Sequence, residues 1–533
     1  MSNEKMYHNP VILSDYSDPD VIRVGDIYYM TASSFNYTPG LPLLMSLDLV
    51  HWNLVGYAAE NLPFGHFDAP IQSHGVWAPS IRYHDGRFII TVGFPDEGLF
   101  VTEAEDFTGE WTPLRCIWKG KGFIDPCPFW DSDGKAYIVH AYAKSRIGFK
   151  SRLGLLDADP QTLSCIGADR FIFDGEKTQP TIEGPKVYER NGFVYILSPA
   201  GGVKCGWQTA LRAKSVEGPF EEKILLRQGN SHINGPHQGA LVDSADGKFW
   251  FLHFQDRGIY GRVTLLEPAD WQDDWPLMGT GVETRENPGE PVDTYPIPEK
   301  SSDMLIHGID AAEMNDEFVG GFPSLQWQWQ ANHKDSFVLR HEGNFLRLAA
   351  LSGSETIWDY PAVLSEKIAR ESFVARFVIS AGELEKGGRA GILFSGGQYA
   401  SLGIEHKNEG GWKFFYIESE NAEDAEKRVE IEKDSFPLPS DFCAEDLTFC
   451  LTFRANPVNE ADAERGYADK TKSASGNCAF SVKCAGFDWS PNVTPYEPCG
   501  NHWTGGRIGM FAQSKKEKSA GFADIKSVHV DDL

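Results

Sequence analysis

The hydrophobic pattern of the first 260 residues repeats five times. In each repeat a short polar turn containing Gly with Asp or Asn leads directly into a run of aromatic and apolar residues. Such turns accept positive φ and favour hairpins between two strands. The five segments are GDIYYM (25–30), DGRFII (85–90), DGKAYIV (133–139), NGFVYIL (191–197) and DGKFWFL (246–252).

The spacing of these segments points to a repeated sheet. Successive segments lie roughly fifty to sixty residues apart, a length that suits one four-stranded blade. Alternating Val and aromatic residues dominate, and helical periodicity is scarce. We therefore predict an all-β protein that begins with a five-bladed β-propeller.

A second pattern lies eight or nine residues upstream of each turn. At each of these positions a functional side chain stands within two residues of a proline, which favours an extended chain around it. In equivalent blades these side chains should point to equivalent places, so we expect them to ring one end of the central channel. For a single position, a mere turn residue explains the pattern as well, but three acids in register favour a site. The five positions are Asp18, Trp77, Asp125, Glu183 and His237.

Composition narrows the possible partners. A net charge of −27 opposes binding to nucleic acid or to an anionic membrane. No apolar run approaches the length of a membrane-spanning helix. The start, MSNEKMYHNP, lacks the apolar segment of a signal peptide, and nine scattered Cys without a CxxC pair resemble reduced thiols. We expect a cytoplasmic protein without a structural zinc site.

The sequence pattern changes after the predicted propeller. We expect the propeller over residues 1–300, ending in the proline-rich acidic stretch 286–300, followed by a linker at 301–317. Segments such as FVARFVISAG and RAGILFSGG predict an antiparallel β-sandwich over 318–533, with a loop at 456–478. This second domain either binds carbohydrate or buttresses the propeller, and the sequence favours the buttress.

Three acids around one channel match the needs of glycoside hydrolysis. That reaction uses one protonated and one ionised carboxyl group across the scissile bond. A third carboxylate nearby raises the pKa of the acid and helps to orient it. This proton chemistry requires no cofactor.

The motifs that carry these acids, in order, resemble glycoside hydrolase family 43. They are SDYSDPDVIRVGDIYYM, GVWAPSIRYHDG, GFIDPCPFWDSDG, TIEGPKVYERNG and PHQGALVDSADGKFWFLHFQDRGIYGR. The resemblance implies a five-bladed propeller, a concanavalin-like sandwich behind it, and hydrolysis with inversion at the anomeric carbon. It also implies that Asp18 is the general base, Asp125 the carboxylate that tunes the acid, and Glu183 the general acid.

The same resemblance suggests further site residues. Phe35, Tyr37 and Trp77 would surround the terminal sugar, and Arg262 would contact its hydroxyl groups. His237 would lie near a calcium ion or its water shell, or would act only as a hydrogen-bonding residue of the channel. Asp20 adds an acid where many family members have Ser, and we expect it to face the blade interior with a backbone partner.

The leading interpretation is an exo-acting, inverting enzyme that releases terminal xylose or arabinofuranose from hemicellulose-derived oligosaccharides. The sequence does not choose between β-xylosidase and α-L-arabinofuranosidase activity. A non-catalytic carbohydrate-binding propeller is the alternative, although none of the three acids is missing. A phosphorylase would need more cationic side chains near the ring than Arg262 and His237 supply.

Overall fold

The structure, a computed structural model, describes residues 5–281, 287–422, 424, 426–456, 475–484 and 486–533. The regular secondary structure of this part of the chain consists almost entirely of β-strands, as predicted. Most of the predicted loop at 456–478 lies outside the described residues. Among the helices that the structure describes, none combines the length and the apolar character needed to cross a membrane.

The N-terminal unit contains five sheets of consecutive antiparallel strands. Its strands are β1 (Met6–His8), β2 (Asp20–Val24), β3 (Ile27–Thr31), β4 (Gly40–Ser46), β5 (Trp52–Ala59), β6 (Ser80–His84), β7 (Arg87–Phe94), β8 (Gly98–Ala104), β9 (Arg115–Lys119), β10 (Phe123–Trp130), β11 (Ala136–Tyr142), β12 (Arg152–Ala158), β13 (Cys165–Asp174), β14 (Lys186–Arg190), β15 (Phe193–Ala200), β16 (Trp207–Ala213), β17 (Glu221–Arg227), β18 (His237–Asp243), β19 (Phe249–Asp256), β20 (Arg262–Gln272), β21 (Trp275–Met278), β22 (Thr294–Pro296) and β23 (Ile309–Asp310). The short helix α1 (Lys144–Ile147) and the 3₁₀ turns Gly65–Asp68 and Gly258–Tyr260 connect some of them.

The five sheets are the blades of a β-propeller. They hold β2–β5, β6–β9, β10–β13, β14–β17 and β18–β21, and β23 is added to the outer edge of the first. Each polar turn seen in the sequence joins the first strand of a blade to the second. Asp85 and Asn191, for example, adopt the positive φ that those turns require. Neighbouring blades contact one another around the ring, and β18 returns to β2.

The N-terminal segment closes this ring. Ile12 forms a β-bridge with Thr264 of the fifth blade, and β1 pairs with β22. The Tyr7 hydroxyl donates to the carbonyl of Leu266 at 2.8 Å. The segment that precedes the first blade therefore ties it to the last one.

The C-terminal unit is a sandwich of two antiparallel sheets. Its strands are β24 (Gln328–Trp329), β25 (Leu346–Ala349), β26 (Leu364–Lys367), β27 (Phe373–Ser380), β28 (Gly388–Ser395), β29 (Tyr399–His406), β30 (Trp412–Glu420), β31 (Val429–Pro437), β32 (Leu447–Ala455), β33 (Gly476–Cys484), β34 (Phe487–Trp489), β35 (Arg507–Ser514) and β36 (Phe522–Asp532). The strand order is β24-β26-β35-β28-β29-β30-β31 in one sheet and β25-β36-β27-β32-β33-β34 in the other. The 3₁₀ turns of this unit are Val319–Gly321 and Asp335–Phe337.

The two units pack tightly against each other. Thr38 of the propeller and Trp329 of the sandwich exchange backbone hydrogen bonds of 2.9 and 2.7 Å. The apolar core of the sandwich continues into the propeller through Ile259, Tyr260 and Val263. This packing lets a loop of the sandwich reach the end of the propeller channel where the predicted acids lie.

Candidate active site

Asp18 lies immediately before the innermost strand of the first blade and is buried. Its backbone is left-handed, with φ of 56°. One carboxylate oxygen, Oδ2, accepts hydrogen bonds from the hydroxyls of Ser17 at 2.7 Å and Ser33 at 2.6 Å. Arg262 Nη1 lies 3.2 and 3.4 Å from the two oxygens. Three side chains therefore fix the orientation of this carboxylate.

Asp125 occupies the equivalent place in the third blade, at an irregularity of β10. Its backbone is also left-handed, and its Oδ2 accepts a hydrogen bond from the N–H of Gly184 at 2.8 Å. Burial, then the negative charges of Glu183 and Asp18, raise the pKa of Asp125 to about 8. This group of carboxyls therefore retains a proton at neutral pH.

Glu183 is the most accessible of the three acids. Its side chain is 28% exposed, whereas that of its partner His237 is 1% exposed. Nε2 of His237 lies 2.9 Å from Glu183 Oε1, and this contact orients the carboxyl group. Within the described residues, Nδ1 of His237 has no hydrogen-bond partner.

Aromatic side chains wall the pocket above these acids. Trp503, from a loop of the sandwich, meets Trp77 edge-on with ring centroids 4.5 Å apart and lies 6.4 Å from Phe35. The cavity of about 240 Å³ is near the small end of ligand pockets. Its lining consists of Asp18, Phe35, Trp77, Ala78, Ile124, Asp125, Thr181, Glu183, Gly202, Val203, Gln238, Arg262 and Trp503.

Most of the predicted residues thus meet in one place. Six of them line the pocket, and His237 supports it through Glu183. Tyr37 is placed elsewhere. Its buried ring faces the sandwich, where the guanidinium carbon of Arg507 lies 4.1 Å from the ring centroid. We expected Phe35 and Tyr37 both to surround the sugar, but only Phe35 lines the pocket. Both residues lie in a loop, where strand alternation does not fix the direction of a side chain.

Sequence reasoning missed Trp503. Its segment GNHWTGGR, 500–507, carries the glycines of a loop, but only the packing of the domains brings it to the propeller. The Ser73 hydroxyl donates to the carbonyl of His502 at 2.7 Å, and Asn501 Nδ2 lies 3.3 Å from Gln72 Oε1. The hydrogen bonds from the Ser17 and Ser33 hydroxyls to Asp18 were not predicted either, although Ser17 directly precedes Asp18.

The residues near His237 do not fit a calcium ion held directly by the protein. Calcium takes six to eight oxygen ligands. In the described part of the chain, no group of three or more His, Cys, Asp or Glu side chains is arranged to hold a metal. The unpartnered atom of His237 is a nitrogen, so no chemical step is assigned to calcium.

Three carboxyl groups around an aromatic-walled pocket form the site of an enzyme that hydrolyses glycosidic bonds. Comparison with known families agrees with this class. Residues 7–276 match the model of glycosyl hydrolases family 43, and residues 315–531 match that of the "Beta xylosidase C-terminal Concanavalin A-like domain". The chain belongs to glycosyl hydrolase family 43, in which catalysis needs no cofactor.

Individual relatives cover most of the chain. A "Putative beta-xylosidase" of Xylanibacter ruminicola is 36% identical over 75% of this chain and 72% of its own length. The "Non-reducing end alpha-L-arabinofuranosidase BoGH43B" of Bacteroides ovatus is 30% identical over 70% of each chain. The crystal structure of the GH43 BlXynB protein from Bacillus licheniformis, 21% identical, superposes with a TM-score of 0.79 over 99% of this chain and 100% of its own. That last likeness concerns the fold.

Proposed function

We propose that this glycoside hydrolase is exo-acting and inverting, and that it releases terminal xylose or arabinofuranose from xylan-type oligosaccharides. The observation that carries the proposal is the meeting of Asp18, Asp125 and Glu183 in one small pocket closed on one side by Trp503. The names of the two relatives cover both activities. A pocket of this size suits a terminal sugar better than the middle of a polymer.

The proposed reaction divides the work among the three acids. Glu183, as general acid, donates its proton to the glycosidic oxygen as the bond to the anomeric carbon breaks. Asp18, as general base, takes a proton from a water molecule whose oxygen attacks that carbon from the opposite face. The water oxygen joins the sugar, and the leaving group departs as an alcohol. The product therefore has the inverted anomeric configuration.

Asp125 and Arg262 support these steps. The negative charge of Glu183 helps to raise the pKa of Asp125, so the two neighbouring acids share one proton near neutral pH. In the reactive form we place that proton on Glu183 and the negative charge on Asp125. Arg262 contacts both oxygens of Asp18 and lines the pocket, so it can hold the base while it binds a sugar hydroxyl. Phe35 and Trp77 offer flat apolar surfaces to the ring of the sugar.

Product analysis tests the proposal. Purified protein is incubated with aryl β-xyloside, aryl α-arabinofuranoside and xylo-oligosaccharides, and the first product anomer is followed by NMR. We expect monosaccharide released with inversion. Oligosaccharides released from within the chain would contradict exo action, and a retained anomer would contradict the assignment of Asp18 as base.

The same experiment separates the alternative. A non-catalytic binding propeller would bind these sugars without turnover of any of them.

The cytoplasmic location expected from the sequence remains a prediction. It is tested by fractionating cells that produce the protein and detecting the chain in each fraction with an antibody.

A further inference from the structure

A fourth carboxylate lies beside the pocket without lining it. Asp15 stands three residues before Asp18, and only 7% of it is exposed. Its Oδ1 accepts a hydrogen bond from the backbone N–H of Arg262 at 2.9 Å. Its Oδ2 accepts one from the backbone N–H of Gly505 at 3.0 Å. Because Arg262 belongs to the propeller and Gly505 to the sandwich, one carboxylate bridges the two domains.

Glycines make this bridge possible. A Cβ on Gly261 would lie 2.5 Å from Asp15 Cγ, and a Cβ on Gly505 would lie 2.6 Å from the nitrogen of Gly261. Both distances are too short for carbon, so the backbones can approach only where side chains are absent. The N–H of Gly506 also donates to the carbonyl of Ile259 at 2.6 Å. The three segments therefore fit together in one tight arrangement.

Both ends of the bridge lead into the pocket. Arg262, whose N–H binds Asp15, carries the guanidinium group that contacts Asp18. Gly505 follows Trp503 by two residues, and Trp503 packs against Trp77 in the pocket wall. A shift of Asp15 would therefore move the partner of the proposed base and the aromatic wall together.

The position of Asp15 does not favour stability. Burial raises the pKa of Asp15, and the two N–H hydrogen bonds and the charges of Lys367 and Arg262 only partly oppose this shift. A buried carboxylate whose charge is only partly compensated opposes folding. What its place provides is geometry, namely two hydrogen bonds from different domains to one rigid group.

We propose that Asp15 is a positioning residue for the hydrolytic reaction, which holds Arg262 and the loop 499–506 in register so that the sandwich completes the pocket. The proposal rests on the function proposed above. It gives the sandwich a direct part in hydrolysis, beyond support of the propeller.

The first test replaces Asp15 by Asn in the full chain. The carboxamide has the same shape, but its NH₂ group faces one of the two N–H donors and breaks that bond. We expect kcat/KM on an aryl glycoside to fall about 10- to 100-fold, with KM raised and kcat lowered. Asp15→Asn with wild-type kcat and KM would overturn the proposal.

Asp316→Asn is the matched control. Asp316 is also a buried carboxylate, and it accepts hydrogen bonds from the backbone N–H groups of Phe318 and Ser324. It does not line the pocket. We expect it to lower the unfolding temperature while kcat and KM stay within about twofold of wild type. Equal kinetic losses in Asp316→Asn and Asp15→Asn would mean that general destabilisation explains both, against the proposal.

A double-mutant cycle asks whether Asp15 acts through the loop. Once Trp503→Ala has removed the aromatic wall, Asp15→Asn should raise KM clearly less than it does in the wild-type background, because only its effect through Arg262 remains. Gly505→Ala disturbs the same contact from the side of the sandwich and should raise KM as Asp15→Asn does, because its Cβ collides with the backbone of Gly261. Effects on KM that multiply fully in the Asp15→Asn/Trp503→Ala double variant would contradict this coupling.

Hydrogen exchange provides a readout that does not depend on catalysis. In Asp15→Asn, amides of residues 499–507 should exchange at least about threefold faster than in wild type, while those of β28 stay unchanged. Unchanged exchange at 499–507 would overturn the proposal even if activity fell. If the wild-type protein hydrolysed none of the glycosides, the proposed function would fail, and this measurement would still decide whether Asp15 holds the loop.

Discussion

Asp18 and Asp20 stand two residues apart, yet they belong to two different electrostatic environments. Asp20 lies inside the channel with no exposed surface. It accepts hydrogen bonds from the N–H of Ile81 at 2.8 Å and from Arg82 Nη1 at 2.9 Å, and Lys186 Nζ lies 3.8 Å away. In the channel interior, one carboxylate thus faces two cations.

The pocket end has the opposite balance. There Asp18, Asp125 and Glu183 lie together, and the ion pairs that the structure describes for them are those of Asp18 with Arg262 and of Glu183 with the imidazole of His237. The surplus of negative charge contributes to the raised pKa of Asp125. In the interior the carboxylate is paired with cations from two other blades and helps to hold the blades together. At the pocket the surplus of carboxyl groups favours a retained proton that can be transferred. The comparison predicts that acids at the two places respond differently to the same Asp-to-Asn or Glu-to-Gln change.

The largest effect is expected for Glu183→Gln. Loss of the proton donor should lower turnover of xylo-oligosaccharides about 10²- to 10⁴-fold, while aryl glycosides with good leaving groups should lose much less, since they need little protonation. Steady-state kinetics on both substrates measure this. Glu189→Gln, on the exposed face of the same blade, is the control and should leave both rates unchanged. Equal losses on the two substrates would remove Glu183 from the acid role.

Asp20→Asn tests the channel interior and should lower stability instead of activity. It leaves Arg82 and Lys186 buried without a counter-charge, so the free energy of unfolding should fall by roughly 3 kcal/mol. Turnover of the folded protein should stay within about threefold of wild type, since Asp20 does not line the pocket. Urea unfolding and steady-state kinetics check the two statements. The double variant Asp20→Asn/Lys186→Met removes one of the two cations that lose their counter-charge, so it should recover part of the stability. Wild-type stability with lost turnover in Asp20→Asn would place Asp20 among the catalytic acids.

The sequence allowed the propeller acids to be placed because they are tied to a repeat. Each lies at a constant distance before a Gly-containing turn, and that turn always joins the two innermost strands of a blade. The separate environments of Asp18 and Asp20 could not be predicted in the same way. Strand alternation would put them on one side, but the left-handed backbone of Asp18 interrupts the alternation.

Contacts between the domains could not be predicted from these sequence patterns. Trp503 meets Trp77 although more than four hundred residues separate them, and no repeat relates the two. Asp15 lies in SDYSDPD beside two other acids, and nothing in that segment shows that it alone binds the sandwich. Such pairs depend on how two finished domains pack, which local patterns do not record.

Asp125→Asn sharpens the comparison through pH. Hydrolysis should fall about 10- to 100-fold, because Asn can neither share the proton of the Asp125–Glu183 pair nor carry the negative charge while Glu183 holds that proton. The pKa of Asp125 in the folded protein, about 8, lies above the ordinary value of 3.8, so the folded protein keeps a proton that the unfolded chain releases. That contribution to stability is complete below pH 4 and is lost as the pH rises through 8. Relative to wild type, Asp125→Asn should therefore gain in unfolding temperature between pH 5 and pH 8, and a difference that is constant with pH would contradict the raised pKa.

Trp503→Ala should have the smallest of these effects, and it acts only at the pocket end. Removal of the indole opens one wall without changing any of the three acids, so KM for the aryl glycoside should rise about tenfold while kcat changes less than about threefold. Trp503→Phe is the control, because a phenyl ring can still pack against Trp77 and should keep most of the affinity. Initial rates over a range of substrate concentrations separate the two constants. A loss in kcat as large as that of Asp125→Asn would mean that the loop of the sandwich also orients the three acids. The aromatic wall would then not act on substrate binding alone.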